Sequence, residues 1–174
     1  MEPVGDWDVL SDFSGVEAGD EAAVDALRRE VLLSAVPGPC HEPDSYTLLR
    51  YSRARGGVAA AAAAMYRATL AWRREARVDS LLDRFTFPEH ELVQSAWSHG
   101  YHKTDRQGRP VYIDRIGCAD LETLFKVTTA ERIAEEHLYE WELLLQERFP
   151  ACSRAAGRPI RQTMVLERER DSVR

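Results

Sequence analysis

The sequence predicts an α/β fold, in which a helical N-terminal part is followed by a small and incomplete β-sheet. The first indication is the segment 109–167, where a strand-like stretch, a long amphipathic stretch and a second strand-like stretch follow one another. The second is YHKTDRQGRPVYIDRIG at 101–117, whose two arms flank a polar turn that contains Asp and Gly. The third is the helical spacing of apolar residues in the first half of the chain.

Three helices are predicted before residue 80. The first covers 21–35, and the second is capped by Asp44 or Ser45 and stopped by the Gly-Gly pair at 56–57. The third runs from 58 to 77 and contains an alanine tract of high helix propensity. The side chains that we expect these helices to bury are Val24, Leu27, Val31, Leu32, Leu48, Leu49, Ala61, Met65, Ala68 and Trp72.

The second half of the chain predicts the sheet. Pro110 suits the first position of a strand, and the residues after it have high strand propensity. A short helix is expected at 121–125, and Thr128 or Thr129 would cap a long helix that spans 129–156. Its predicted buried face is Ala134, Leu138, Trp141, Leu145 and Phe149. Its acidic residues, which are Glu131, Glu135, Glu136, Glu142 and Glu147, are interpreted as a solvated face. A buried strand is predicted at 162–167.

The charge and the cysteine content limit the classes of function that the chain could have. The net charge of −6 argues against general nucleic-acid binding. Acidic residues dominate 1–44, whereas basic residues outnumber acidic ones in 45–115, a segment that could face phosphates or an anionic membrane. Residues 1–15 carry no basic start of a secretory leader. The three widely spaced cysteines, Cys40, Cys118 and Cys152, are therefore expected to be reduced thiols.

Motifs of catalysis and metal binding are missing from the sequence. It contains no GxGxxG, GxxxxGK[ST], GxSxG or HExxH pattern. His99, His102 and His137 lack the further convergent ligands that a metal site needs. Neither Cys118 nor Cys152 has an adjacent base that would activate it as a nucleophile. We therefore expect no enzyme activity, no metal and no cofactor.

A basic cluster near the end of the second helix has two interpretations. Arg50, Arg53 and Arg55 could simply stabilise the negative end of the helix dipole. Alternatively, a forked guanidinium of this cluster could capture a phosphate.

The aromatic set Tyr101, Tyr112 and Trp141 is equally open to two interpretations. Such residues can be amphipathic core residues that bury a ring and keep a polar tip in water. They can also line a cavity that binds a ligand with an apolar body and a polar head.

Several sequence blocks, taken together and in order, resemble a known family. They are DSYTLLRYSRAR (44–55), LAWRRE (70–75), the stretch 101–117, LFKVTTAER (124–132) and FPACSRAAG (149–157). The blocks are similar to those of the CRAL-TRIO lipid-binding proteins, and especially of the fungal phosphatidylinositol/phosphatidylcholine transfer proteins. The resemblance extends over about residues 44–166.

The resemblance implies a function that spacing alone does not show. In that family an apolar pocket above a β-sheet holds the acyl chains of a phospholipid, which is carried between membranes or presented to a lipid kinase without covalent chemistry. The implied partners are a phospholipid ligand, a transiently contacted membrane surface and lipid kinases, with no nucleic acid. The implied location is the cytoplasm, with transient association to Golgi or endosomal membranes.

Site residues follow from the resemblance by position. Arg55 matches an arginine that supports the inositol-phosphate site, and Pro110 lies near that site. Tyr101, Tyr112 and Trp141 match aromatic positions associated with phosphatidylcholine. Trp141 stands where tyrosine is more usual, and Val165 where a hydroxyl is usual, which weakens the expected choline-lipid contacts. The predicted lipid-binding residues are Arg55, Tyr101, Pro110, Tyr112, Trp141 and Thr163.

The predicted organisation has four parts. They are a disordered acidic leader at 1–20, a helical CRAL-TRIO N-terminal module at 21–98, a partial lipid-binding domain at 99–166 and a polar tail at 167–174. The resemblance implies further strands and a gating helix where this chain reads ERERDSVR, so we expect a C-terminally truncated sheet. Phospholipid binding and transfer is the first functional hypothesis. The alternative is a truncated, non-transferring fragment that acts as an interaction or membrane-docking module.

Overall fold

The computed structural model describes residues 17–32 and 43–167. The predicted leader up to residue 16, residues 33–42 and the tail from residue 168 lie outside these ranges. The chain divides between Asp79 and Ser80 into two compact units. The first unit is helical and the second contains helices and a three-stranded sheet, which confirms the α/β class. Residues 81–98, which we assigned to the helical module, lie in the second unit, and the division into domains stays a prediction.

The first unit contains three helices in the part of the chain that the structure describes. They are α1 (Asp20–Leu32), α2 (Ser45–Arg53) and α3 (Ala59–Glu75). The carboxylate of Asp44 accepts a hydrogen bond from the Thr47 amide at 2.7 Å, which starts α2 as predicted. Gly56 and Gly57 follow α2 with positive φ values, a conformation that glycine adopts without a steric penalty. The core of the unit is Val24, Leu27, Leu48, Leu49, Ala62 and Ala63.

Helix α3 buries a different face from the one that its sequence predicted. The buried residues are Ala62, Ala63, Tyr66 and Leu70, whereas Trp72 is exposed. The two alanines pack in the core beside α1 and α2 residues, and the Tyr66 ring meets the Tyr51 ring edge-on at 5.1 Å. In an alanine tract every face is apolar, so the spacing of the larger residues did not identify the packed side.

The boundary between the two units lies within a 3-10 turn at Val78–Ser80, and the second unit begins at Ser80. Its elements are α4 (Leu81–Arg84), α5 (His90–Ala96), β1 (His99–Thr104), β2 (Pro110–Asp114), a 3-10 turn (Ile116–Cys118), α6 (Leu121–Val127), α7 (Ala130–Leu143), a π-helical turn (Leu144–Arg148), α8 (Phe149–Ala156) and β3 (Met164–Glu167). Thr129 caps α7, and Gly157 ends α8 with a left-handed φ of 62°, as the sequence predicted. One small core gathers Val93, Ala96, Trp97 and Leu124, and another gathers Leu144, Phe149 and Ile160.

The sheet has the order β1-β2-β3, with β1 and β2 antiparallel and β2 and β3 parallel. The Asp105 carboxylate closes the β1–β2 turn, because it accepts hydrogen bonds from the Gln107 and Arg109 amides at 2.8 and 2.9 Å. The register is irregular between Tyr101 and Thr104, where Lys103 has a φ of 56°. The hairpin that YHKTDRQGRPVYIDRIG predicts is therefore confirmed.

Strand register places several predicted site residues on one face. Tyr101 lies opposite Tyr112, and Tyr112 lies opposite Val165 on β3. Paired residues of neighbouring strands point to the same side of a sheet, and so do residues two apart on one strand. His99, two residues before Tyr101, shares this face, which we call the tyrosine face.

The long helix predicted at 129–156 is present, but a π-helical turn interrupts it. The Phe149 amide donates to the Leu144 carbonyl five residues earlier, so the turn holds one residue more than an α-helical turn. Pro150 lies two residues after this turn. It has no amide hydrogen to donate, and in a regular α-helix its ring would crowd the carbonyl four residues earlier. The wider turn relieves this conflict and lets both Leu144 and Phe149 be buried.

The predicted orientation of α7 is wrong for most of its length. Trp141 is 60% exposed and Leu145 is exposed as well, although both were expected in the core. Glu136 and Glu142, which were expected in solvent, are buried. The π turn shifts the following residues round the helix axis, so Phe149 is buried although Leu145, four residues before it, is not.

Within the described ranges, no helix is both long enough and apolar enough for a bilayer crossing. Cys118 and Cys152 are free cysteines, while Cys40 lies outside the described residues.

Candidate functional site

A cavity of about 300 Å³ opens over the tyrosine face, between β1, β2 and the helices α5 and α7 with the π turn. Polar side chains dominate its wall. The lining residues are His90, Gln94, His99, Gly100, Tyr101, Tyr112, Glu136, Glu140 and Arg148. A cavity with converging aromatic and charged groups is the usual form of a small-ligand site.

Two tyrosines form the floor of the cavity. The rings of Tyr101 and Tyr112, opposite each other on β1 and β2, meet edge to face with 5.0 Å between centroids and 64° between planes. Burial raises the pKa of both phenols, and that of Tyr112 rises furthest because Asp114 and Glu136 also disfavour its ionisation. Both hydroxyls are therefore neutral at physiological pH and can donate hydrogen bonds to a ligand.

Arg148 closes one side of the cavity. Its guanidinium lies over the Tyr101 ring at 4.4 Å from the centroid, which is a cation–π contact. The same guanidinium pairs with the Glu140 carboxylate, with 2.8 Å between Nη2 and Oε2, and donates to the Glu140 backbone carbonyl at 3.2 Å. Two independent contacts to Glu140 thus fix the charge of Arg148 above the ring.

Thr163 lies just before β3, and its hydroxyl is next to the Tyr101 side chain. Its Oγ1 is buried and has no hydrogen-bond partner of normal geometry among the described residues. The Thr163 hydroxyl and the Arg148 guanidinium partly offset the effect of burial on the pKa of Tyr101.

Behind the cavity, three aromatic rings and a buried carboxylate form a cluster, of which His99 and Glu136 line the cavity. The rings of Trp97, His99 and His137 lie 4.3 to 5.7 Å apart. The Glu136 Oε2 atom lies 3.5 Å from His99 Nε2 and 3.4 Å from His137 Nδ1. The Trp97 indole is fixed by a 2.8 Å hydrogen bond to Asp114 on β2.

The hydrogen-bond partners restrict where the protons of this cluster lie. His99 Nδ1 lies 3.0 Å from the Trp97 carbonyl and must carry a hydrogen, because a carbonyl only accepts. His99 Nε2, which faces Glu136 and the cavity, is buried without a hydrogen-bond partner of normal geometry. Burial opposes ionisation of Glu136, but His137 and His99 outweigh it and lower its pKa to about 2. The hydrogen bond to Glu136 raises the pKa of His137.

The predicted site residues of the second unit do not all lie at the cavity. Tyr101 and Tyr112 line the cavity, Thr163 lies beside Tyr101, and Pro110 is buried at the start of β2. Trp141 is exposed on α7 and is not among the residues that line the cavity. Their assignment as lipid-binding residues remains a prediction.

Arg55 belongs to the first unit, where it is exposed and its Nη1 donates to the Ala54 carbonyl at 3.0 Å. Of the other two arginines in the basic cluster, Arg53 pairs with Asp20 and Arg50 lies over the Tyr46 ring. Their charges therefore have partners within the unit, while the role of Arg55 remains a prediction.

The charged residues that line the cavity were missed from the sequence. Glu136, His137, Glu140 and Leu144 follow Ile133 by three, four, seven and eleven positions, so the five residues form one stripe along α7 and into the π turn. Its two apolar ends pack in separate cores, Ile133 against the Trp97 core and Leu144 in the other. If the helix is oriented by Ile133 and Leu144, the three polar residues between them are predicted on its packed face. The apolar residues that include Trp141 form a longer continuous stripe, so the sequence favoured the wrong face.

Sequence comparison with known proteins identifies relatives of this chain. No family model matches the chain. It is 40% identical over 147 residues, or 84% of its length, to phosphatidylinositol/phosphatidylcholine transfer protein SFH9 of Arabidopsis thaliana. It is 40% identical over 146 residues, again 84% of its length, to the Sec14 cytosolic factor of Schizosaccharomyces pombe, and 42% identical over 136 residues, or 78%, to that of Eremothecium gossypii.

The chain is a homologue of the Sec14 and SFH proteins of the CRAL-TRIO family. The matched segment is 25% of SFH9, 50% of the Schizosaccharomyces Sec14 factor and 43% of the Eremothecium one. The chain therefore spans between a quarter and a half of the length of these relatives. The resemblance that the sequence blocks indicate is confirmed.

Proposed function

We propose that the chain binds a phospholipid, phosphatidylinositol or phosphatidylcholine, and takes part in its transfer between membranes. The observation that carries the proposal is the identity of 40%, over 84% of the chain, with SFH9, which is named for this transfer. We further propose that the three-stranded sheet is part of the CRAL-TRIO lipid-binding arrangement. The tyrosine face, with its cavity and its buried Thr163 hydroxyl, supports a headgroup site beside the sheet.

Each part of a phospholipid has a matching surface in this proposal. The neutral hydroxyls of Tyr101, Tyr112 and Thr163 would hydrogen-bond the lipid phosphate. Apolar side chains that are exposed on α7 and β3, among them Trp141 and Val165, would contact the acyl chains. Covering a chain is worth about 0.8 kcal/mol per CH₂, so a lipid leaves the bilayer only for a comparably apolar surface.

The remaining features of the proposal follow from the same relatives. The function needs no covalent chemistry and no cofactor. We propose a cytosolic protein, because the Schizosaccharomyces relative is named a cytosolic factor. From the resemblance of the sequence blocks we propose that it contacts Golgi or endosomal membranes transiently. Lipid kinases are proposed as partners that receive the presented lipid.

Lipid loading tests the proposal directly. The purified chain is incubated with vesicles of phosphatidylinositol and phosphatidylcholine, separated from them, and its extracted lipid identified by mass spectrometry. We expect about one phospholipid per chain, and less for Tyr112→Ala at unchanged helix content. Recovery of the chain without bound lipid would contradict the proposal.

A second function, docking to membranes or to other proteins, is favoured by a different observation. Large apolar side chains are exposed on two segments of the second unit, with Trp141 and Leu145 on α7 and the π turn and Val165 and Leu166 on β3. Exposed apolar patches are typical of interaction surfaces. A chain that sediments with vesicles but extracts no lipid from them would support this alternative over transfer.

A further inference from the structure

A second cavity, of about 600 Å³, lies between the turn of the β1–β2 hairpin and helix α8. None of its lining residues lines the cavity over the tyrosine face. The hairpin contributes residues 104–108, which include Arg106, and the other side consists of α8 residues and Arg158. Two arginines that are far apart in the sequence therefore line one recess outside the site already described.

The turn of the hairpin is held firmly on α8. Gly108 has a φ of 78°, and a Cβ atom at this position would lie only 3.3 Å from the Cβ atom of Ala156, so glycine permits both the turn and the close packing. The Arg158 Nη2 atom donates to the Gln107 carbonyl at 2.6 Å. The backbone at Arg106 and at Arg158 is therefore fixed on the two sides of the recess.

The two segments that form the recess are strongly basic, although the whole chain has a net charge of −6. The Asp105 carboxylate is already occupied, since it accepts from two amides of the turn and pairs with the Arg109 guanidinium at 2.7 Å. The segments hold no second carboxylate that could neutralise the remaining cations. Residues 102–109 and 151–163 together contain six basic residues, which are Lys103, Arg106, Arg109, Arg154, Arg158 and Arg161.

Several of these basic side chains have their charge available. Lys103, Arg106 and Arg154 are exposed and make no ion pair or side-chain hydrogen bond with the residues at 17–32 and 43–167. Arg158 is exposed as well, and its bond to the Gln107 carbonyl uses one of the five N–H donors of a guanidinium. These groups can therefore bind an anion without giving up a partner.

The dipole of α8 explains only part of this charge. Cations stabilise the C-terminal end of a helix, which accounts for Arg154 in the last turn of α8 and for Arg158 after it. It does not account for Lys103 and Arg106, because both belong to the hairpin. Charge complementarity therefore indicates an anionic partner.

The form of the surface favours a membrane over an acidic peptide. The α8 side of the recess is mainly alanine, namely Ala151, Ala155 and Ala156. A bound peptide needs partners for its backbone amides and carbonyls, and alanine side chains offer none. Basic groups that are spread over a hairpin and a helix end can instead meet different headgroups of an anionic leaflet, and such contacts add up.

We propose that a basic rim, formed by Lys103, Arg106, Arg154 and Arg158, docks the chain onto the anionic leaflet of a membrane, with a lipid phosphate held between Arg106 and Arg158. The inference rests on the proposed function, since it names the chemistry of the membrane that the chain contacts. It assigns this contact to a surface that shares no residue with the cavity over the tyrosine face or with the exposed apolar side chains of α7 and β3.

Sedimentation with vesicles tests the basic rim. The full chain is mixed with vesicles of phosphatidylcholine alone, or of phosphatidylcholine and phosphatidylserine in equal parts. We expect the unmodified chain to bind the anionic vesicles more tightly, and this binding should weaken as salt is added. Arg106→Gln should reduce it about fivefold, the effect of one basic residue near an anionic leaflet, and the double variant with Arg158→Gln about twenty-five-fold.

The matched control is Arg29→Gln with Arg74→Gln, which removes two exposed charges from α1 and α3 of the first unit. It changes the net charge by the same amount as the double variant, and it should leave the binding to anionic vesicles nearly unchanged. If the double variant loses helix content, Arg106→Gln alone decides the test, because its exposed side chain has no partner among the described residues.

Lipid loading from phosphatidylcholine vesicles separates this inference from the proposed function. The double variant should load as much lipid as the unmodified chain, and a chain that loads no lipid at all should still prefer anionic vesicles through the basic rim. Three results would overturn the docking role. They are equal binding to both kinds of vesicle, equal losses in the double variant and the control, and binding of polyglutamate in place of anionic vesicles, which would assign the rim to an acidic protein.

Discussion

The two units of the chain bury different kinds of side chain. The described part of the first unit buries apolar residues such as Leu27, Leu48 and Leu49, and the polar residues buried there are the uncharged Ser45 and Ser52. The second unit divides its apolar core into two small clusters and also buries His99, Glu136 and Glu142. Most large apolar side chains that the described residues expose also belong to the second unit, including Phe125, Trp141, Val165 and Leu166.

The difference indicates which unit carries the ligand chemistry. Burying a carboxylate is unfavourable unless cations and hydrogen bonds compensate for the lost water, so Glu136 can be buried only because His99 and His137 lie beside it. Ionisable groups with shifted pKa values that line a cavity are more typical of functional sites. We infer that the first unit is stabilised mainly by packing, while the second gives up part of its packing for a polar cavity and an exposed apolar surface.

The largest effect is expected in the apolar core of the first unit. Leu27→Ala should lower the free energy of unfolding by about 2–5 kcal/mol, because it leaves a cavity among fully buried neighbours. Leu32→Ala on the same helix is the control and should change it by less than about 0.5 kcal/mol, since Leu32 is 63% exposed. Urea denaturation followed by circular dichroism measures both. Similar values for the two variants would contradict the packing of α1.

Arg55 tests whether the first unit has only a structural role. If it supports an inositol phosphate, Arg55→Ala should weaken phosphatidylinositol binding by about 1.5–3 kcal/mol, the value of a charge-assisted hydrogen bond, and phosphatidylcholine binding much less. Its stability should be unchanged, because the side chain is exposed. Arg53→Ala, which loses the ion pair with Asp20, is the control and should not alter the ratio of the two lipids. Equal losses for both lipids would assign Arg55 a structural role.

The buried carboxylate of the second unit predicts a pH profile with two limbs. The folded pKa of Glu136 is about 2, against an ordinary value of 4.5, so its contribution is present above 4.5 and is lost as the pH falls toward 2. The folded pKa of His137 is raised above 6.5, so its contribution is present below 6.5 and is lost as the pH rises through the raised value. This pair should therefore stabilise the unit most between about pH 4.5 and 6.5.

Glu136→Gln is the variant that tests this profile. It should lower stability by about 1–3 kcal/mol near pH 6 and flatten both limbs, because the amide keeps the shape but not the charge. Glu147→Gln, an exposed glutamate in the π turn, is the matched control. Denaturation curves from pH 3 to 9 measure both, and a profile that keeps its shape in Glu136→Gln would show that the pair does not control it.

The smallest effect on stability is expected at the exposed tryptophan of α7. Trp141→Ser should change the free energy of unfolding by less than about 0.5 kcal/mol, because the side chain is mostly in solvent. If this surface meets lipid, sedimentation with vesicles should nevertheless fall severalfold. Trp72→Ser, at an exposed tryptophan of the first unit, should leave sedimentation unchanged. Equal losses in both variants would remove the distinction between the two units.

The sequence by itself determined where elements begin and end and the order in which they occur. Asp44, Thr129, Pro110 and Gly157 act through their own backbone or through residues within a few positions, so their effects are local. The hairpin and the strand–helix–strand order are local in the same sense. The tyrosine pair was also predictable, because strand alternation and a short turn place Tyr101 opposite Tyr112.

The tertiary structure decided which face of each long helix is buried. In α3 an alanine tract offers the same apolar surface all round, so the packed side depends on its neighbours in the first unit. In α7 the partners that make burial of Glu136 possible are His99, which lies 37 positions earlier in the numbering, and His137 beside it. A helical pattern contains no information about a partner on a distant strand. Charge compensation, which decides whether a carboxylate can leave water, therefore became visible only once β1 and α7 were side by side.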